Sequence, residues 1–311
     1  MKEQSKTISR LSLAGVMITL IGSLFFSTKA VIVKYAFRET AVDAVSLLAL
    51  RMLFSLPFYL LMAWFASSKE QQSKLTARQW FYLMLMGLFG YYLSSYFDFA
   101  GLKYISAGIE RLILFLYPTF VLLINAFVFK EKANKMQWIA VALTYTGIIL
   151  AYIGELSISK DSPGFFLGSI LIFLCSLTFA VYIVGSGRMI PIVGATKFTA
   201  YAMLFSTAGV FLHFIIAGNY SILHSGSSFV WYGLLIAIVA TVIPSWLVSS
   251  GTKRIGSNNV AIISTIGPVS TILQAHFILG EPIFAAQIAG TILIVIGVLL
   301  LGWKQVGKPE Q

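Results

Sequence analysis

Ten long apolar runs separated by short polar connectors set the plan of the chain. They cover approximately residues 11–33, 43–66, 79–99, 105–128, 136–153, 164–186, 196–218, 229–249, 257–279 and 284–303. Each is close to the ~20 apolar residues that carry a helix through the hydrocarbon core of a bilayer. A transmembrane barrel would instead alternate apolar and polar positions in segments of about ten residues. The pattern predicts an all-α integral membrane protein of ten transmembrane helices. Composition sharpens the point: of 311 residues, 58% are hydrophobic and 11% charged, against about 45–50% and about 25% in a soluble domain. Soluble, disordered, collagen-like and coiled-coil classes are excluded, and no stretch is left for a separate domain of ~100 residues.

Charge then fixes an orientation. A net charge of +11 would point to nucleic acid in a soluble protein, but here the charges sit in connectors. The expected macromolecular partner is the lipid bilayer, with no nucleic acid. Placing the N-terminus in the cytoplasm puts fifteen Lys and Arg on inside segments and four (Lys34, Arg38, Lys103, Lys160) outside, with Lys29, Arg51 and Arg111 inside helices. Such a bias follows the positive-inside rule. Both termini and connectors 67–78 and 130–135 are therefore expected in the cytoplasm, and 154–162 and 219–228 outside, in a multi-pass protein of the plasma membrane. The basic N-terminal segment resembles a signal peptide, but the run to about Val33 is too long, so an uncleaved first helix is expected. The single cysteine, Cys175, can form neither an internal disulfide nor a zinc site.

The chain also repeats itself. Shifted by 150 positions, Gly101, Lys103, Ile105, Pro118, Glu131, Gln137 and Gly147 fall on Gly251, Lys253, Ile255, Pro268, Glu281, Gln287 and Gly297. Twelve of the 52 positions from 101 to 152 are identical without a gap. The unit is five helices, used twice: 1–155 and 156–311. Because five is odd, the second copy enters the membrane from the opposite side. Inverted repeats of this kind build transporters whose halves rock about a midplane site.

The end of each half also resembles a known family. Gly280-Glu281-Pro282, Gln287, Gly290 and Gly297, and in the first half Glu131, Gln137 and Gly147, are similar to the EamA-type transporters of the drug/metabolite transporter superfamily. Lys130 and Ala140 stand where that pattern has glycine. The resemblance covers nearly the whole chain. It implies ten helices, a substrate cavity among helices one, three, four, six, eight and nine, and the last helix of each half as scaffold. It does not imply a particular substrate.

Five charges lie within the apolar runs, where each is costly: Lys29, Arg51, Asp98, Glu110 and Arg111. Their repeat-related positions carry Tyr182, Ala202, Val248, Val260 and Ala261, so a shared scaffold does not need them. Mutual pairing or snorkelling is the plain alternative, strongest for Lys29 and Asp98 near helix ends. Glu110 and Arg111, adjacent and so ~100° apart on a helix, cannot simply face one another. Arg51, Glu110 and Arg111 are expected at the substrate, with Tyr92, Tyr117, Tyr182, Trp246 and Asn259 supplying walls and polarity. Asp98 and Glu110 are the candidate proton carriers. Pro118 and Pro268 are expected to kink helices four and nine, since proline removes a backbone hydrogen bond. Glu131 and Glu281 read as caps of the helices that follow them.

These residues point to a secondary transporter of a small organic metabolite or drug, moving it outward by alternating access. The excess of buried base favours a solute bearing an anion, such as an amino acid. No ATP-binding sequence is present, so protons or a counter-substrate are the expected partners. No cofactor or metal is expected, and a monomer or a homodimer fits equally. The alternative is a membrane-embedded enzyme, which would need a His/Asp/Glu constellation. The three histidines are scattered, and HExxH, Cys-x-x-Cys, phosphate-loop and serine-elbow motifs do not occur in the sequence.

Overall fold

A computed structural model describes residues 13–67, 75–131, 134–159, 163–219, 228–255, 260 and 263–303. All regular structure among them is helical, as a bilayer demands of any open chain that cannot close a barrel. Ten helices follow in order. They are α1 Leu13–Glu39, α2 Ala44–Ser67, α3 over Ala77–Gly87 and Ser94–Gly101 with a π-turn at Leu88–Leu93 between, and α4 in two arms, Ala107–Leu114 and Tyr117–Val128. Then come α5 Lys135–Ser159, α6 Phe165–Val193, α7 Ala195–Ala217 and α8, formed by Ser228–Ala237, a π-turn at Ile238–Val242 and Ile243–Ile255. The described part of α9 is Gly267–Gln274 with a π-turn at Ala275–Leu279, and α10 is Ala285–Trp303. Among the described residues, seven helices are long and apolar enough to cross a membrane, and Ala285–Leu300 is a shorter apolar helix. The protein is a multi-pass, all-α membrane protein.

Several helices outrun their apolar stretches. α1 continues to Glu39, α5 to Ser159 and α6 to Val193, beyond the expected ends at 33, 153 and 186. Backbone groups near the bilayer surface are still best satisfied inside the helix, so the ladder does not stop where hydrophobicity does. The boundary expected at 155/156 falls inside α5.

Large apolar side chains such as Phe277, Ile216 and Trp64 face outward, while small ones lie at the crossings, as in helices whose association gains nothing from excluding water. The most extensive pairing joins α5 to α10, and their backbones nearly touch. A Cβ on Gly147 would lie 2.5 Å from the carbonyl oxygen of Gly290, and one on Gly290 would strike the carbonyl oxygen of Gly147. The other principal pairings are α2 with α7, α1 with α8, α3 with α6, α4 with α6, α3 with α7, α2 with α8 and α1 with α9. This pairing scheme is unchanged when each helix is exchanged with the one five places away. The first two π-turns begin 150 residues apart, and so do the turns that precede Pro118 and Pro268.

Candidate functional site: a basic and aromatic cavity

α4 is where local sequence and site meet. Ser106 caps its first arm, accepting from Ile109 N–H at 3.1 Å. After Leu114 the regular ladder gives way to a turn at Phe115–Leu116, where Leu116 N–H bonds the Ile113 carbonyl at 3.0 Å. Pro118 sits in the first turn of the second arm, where a missing N–H costs nothing. Pro268 opens its helix in the same way. The break gives an eight-residue arm, Ala107–Leu114, which carries Glu110 and Arg111.

Beside that arm lies a cavity of about 350 Å³, lined from α1, α2, α3, α4, α6 and α8 together with Ser264. Its charged lining is Lys29, Arg51, Asp98 and Arg111. Lys29 Nζ lies 2.6 Å from Asp98 Oδ2, and that carboxylate is 1% exposed. Arg51, 4% exposed, donates from Nη2 to Ser95 Oγ at 3.1 Å and stacks its guanidinium over Phe99, 5.4 Å from the ring centroid. Its Nε has no partner. Arg111 lies 5.9 Å from the Phe115 ring centroid, and its Nε is likewise unpartnered. Glu110 is fully buried behind this lining, with no donor on either oxygen.

The remaining walls are aromatic. Tyr91 and Tyr182 share a hydrogen bond of 2.9 Å between their hydroxyls, with rings 4.9 Å apart. Phe179 stacks on Tyr182 at 5.8 Å and meets Tyr117 edge-on at 5.2 Å. Gly90, in the π-turn of α3, has to lack a side chain because a Cβ there would enter the Tyr182 ring. Serine and threonine hydroxyls from Ser23, Ser94, Thr241, Ser245 and Ser264 complete the surface.

The structure therefore brings Arg51, Asp98, Arg111, Tyr117 and Tyr182 together around one space, with Glu110 directly behind. It does not bring Tyr92 or Trp246 there. Tyr92 turns to α7, its hydroxyl 3.1 Å from His213 Nδ1. Trp246 is 67% exposed on the outer surface of the bundle, where an indole is as well placed as in a cavity. Asn259 lies outside the described residues. Sequence reasoning did not place Tyr59, Tyr91, Cys175 or Phe179 at the site, and left Lys29 as a structural charge. Tyr91 had a signal: it stands seven positions, two helical turns, before Asp98 and so shares its face.

Glu281 corrects a second expectation. It does not cap α10. Its carboxylate accepts from Ala107 N–H at 3.1 and 3.0 Å and from Gly108 N–H at 3.5 Å, and Lys34 Nζ stands 3.4 Å away. The acid thus caps α4, at the end of the arm that carries Arg111. Gly280, at φ +73°, turns the chain across to reach it, a conformation glycine adopts at no steric cost. Lys34 also donates to the Ile105 carbonyl at 2.5 Å. Glu131 does not cap α5 either: it pairs with Arg188 at 3.1 Å, while Asn134 and Gln137 cap α5 reciprocally at 2.8 and 2.9 Å.

Comparison with known proteins gives this cavity a context. The EamA-like transporter family matches the chain twice, over residues 13–153 and 166–303. The chain belongs to the EamA-like transporter family. Within it, this EamA protein is 31% identical over 293 residues to "Uncharacterized transporter YcbK" of Bacillus subtilis (strain 168), covering 93% of this chain and 92% of that one. An "Uncharacterized transporter" of Archaeoglobus fulgidus is 27% identical over 307 residues, covering 97% and 99%. One solved crystal structure superposes with a TM-score of 0.64 over 94% of this chain and 99% of its own, at 19% identity, which is a likeness of fold. The chain is a membrane transporter of the drug/metabolite transporter superfamily, and its family and relatives point away from an enzyme.

Proposed function

We propose that this EamA protein is a secondary transporter in the plasma membrane. It carries a small organic solute bearing a carboxylate or phosphate outward, by alternating access. The observation that carries the reading is a pair of arginines, Arg51 buried and Arg111 partly buried, each with a buried, unpartnered Nε, lining one aromatic cavity. A buried donor without an acceptor costs about 1–3 kcal/mol, and more when charged, so such a site favours a ligand that supplies the acceptor. The planar fork of arginine suits carboxylate and phosphate oxygens, and the rings of Tyr117, Phe179 and Tyr182 suit a flat apolar body.

Two inverted five-helix halves supply the motion. This reading is supported by the exchange symmetry of the helix pairings, by the spacing of the π-turns and proline turns, and by the double family match. Cytoplasmic placement of both termini rests on the distribution of Lys and Arg. Purified protein in liposomes tests the solute class. Uptake of labelled aromatic carboxylates that exceeds uptake of the matching amines, and is lost in Arg111→Ala, supports the reading. Transport of the amines alone would overturn it.

A further inference from the structure

We propose that a second cavity, at the C-terminal end of α1, is a binding site for a phosphate group, carried by a membrane-lipid headgroup or by free phosphate. The space is about 450 Å³, walled by the end of α1, the connector to α2 and the residues that follow α3. None of its lining residues lines the basic and aromatic cavity. Lys34, Arg38 and Lys103 converge on it, and Phe37, Val42 and Leu102 supply apolar wall. These are three of the four Lys and Arg that the charge distribution assigns to outside connectors. The positive-inside rule gives no reason for base on that side. Like charges gathered round one space repel unless something negative sits among them.

The three bases keep donors to give. Lys34 Nζ has three N–H groups. One goes to the Ile105 carbonyl at 2.5 Å and one faces Glu281 Oε1 at 3.4 Å, which leaves a third. Arg38 donates from Nη1 to the Leu279 carbonyl at 3.3 Å, and its Nε lies 3.9 Å from Glu39 Oε1, which leaves Nη2. Lys103 Nζ stands over the Phe37 ring, 5.4 Å from its centroid, without an acceptor among the described residues. Glu39 and Glu281 offset two of the three charges. Asp43, the other acid of the α1–α2 connector, is committed to capping α2 through Val45 N–H, Ser46 N–H and the Ser46 hydroxyl. Donors from three separate side chains suit the peripheral oxygens of a phosphate better than the two oxygens of a carboxylate. A space of this size takes a headgroup as readily as a bare ion, and basic pockets at the ends of membrane helices take up lipid headgroups.

Thermal melting of the full-length protein in phosphate-free detergent buffer tests this, with three probes at fixed ionic strength: inorganic phosphate, acetate and dihexanoylphosphatidylglycerol. A ligand that binds the folded state raises the midpoint with its concentration, so each series yields an affinity. Phosphate should bind about tenfold or more tightly than acetate, and more weakly as sodium chloride is added. Arg38→Gln/Lys103→Gln alters two exposed side chains and should weaken binding about tenfold or more; should it not fold, Lys103→Gln alone should weaken it several-fold. Stabilisation by the lipid alone assigns the site to a headgroup, and by phosphate alone to the free ion; where both bind, each should displace the other. No stabilisation by either, equal affinity for acetate, or unchanged affinity in the double variant would overturn the proposal. So would loss of phosphate binding in Arg111→Ala with retention in the double variant, a result that moves the anion to the basic and aromatic cavity and leaves the reading of that cavity standing.

Discussion

Arg111→Ala separates recognition from stability, and the structure sets both magnitudes. Arg111 makes no salt bridge to Asp98 or Glu110; its guanidinium lies 5.9 Å from the Phe115 ring centroid and close against Gly267. Truncation therefore strips no ion-pair partner from a buried carboxylate, the event that costs about 3–5 kcal/mol. What is lost from the fold is a cation–π contact of about 0.5–1 kcal/mol, or a melting shift of only about 1–2 °C in a chain of this length. What is lost from binding is a charge-assisted hydrogen bond to the solute, about 1.5–3 kcal/mol, which corresponds to roughly 10- to 150-fold in affinity. The assay is liposome uptake normalised to folded protein, alongside a melting curve of the same preparation. Arg111→Lys keeps the charge without the fork, so it should recover part of the loss and no more. A large fall in melting temperature with normal uptake per folded molecule would refute the reasoning and make Arg111 a structural charge. Wild-type values of both would remove it from the site.

Three further expectations follow from the same geometry. Lys29→Met leaves Asp98 buried without its cation and should destabilise by about 3–5 kcal/mol, with Lys29→Met/Asp98→Asn recovering most of it; equal melting temperatures for the two variants would show that the 2.6 Å pair is not what holds those groups. Glu281→Gln weakens the cap on α4 and its link to Lys34, so a single cysteine placed at Ser95 in a Cys175→Ser background should label several-fold faster with a membrane-impermeant thiol reagent. Unchanged labelling would deny that this contact seals the end of the cavity. In that background, cysteines in 67–78 should be protected from external reagent and those in 219–228 should react; the reverse pattern would invert the topology.

The site was legible in the sequence where burial is expensive and opaque where it is cheap. Arg51, Asp98 and Arg111 stood out because a charge in an apolar run needs a reason, and all three line the cavity. Trp246 misled because an indole is equally at ease against lipid, so nothing in its neighbourhood distinguishes the two faces. Tyr92 was preferred to Tyr91 although only Tyr91 shares the face of Asp98; adjacent tyrosines differ by ~100° around a helix, and depth along the chain is silent about direction. Glu281 and the first turn of α4 are 174 residues apart, so their contact could not be read locally, even though both the acid and the cappable helix start could. The helix count was readable from the runs alone. The ends of α1, α5 and α6 were not, because backbone hydrogen bonding carries on after the apolar composition stops.

The first arm of α4 is a short rod, about 12 Å at 1.5 Å per residue. It is fastened at one end by Glu281 and freed at the other by the turn at Phe115–Leu116. Arg111 lies on it one turn from the fastened end. A rod of that length does not bend, so a displacement at Arg111 is also a displacement at Glu281. The two contacts then obey reciprocity: by whatever factor a bound solute eases release of the fastening, loosening the fastening alters solute affinity by the same factor. With the solute held at Arg111 as proposed, affinity would be written partly into residues that never touch what the protein carries.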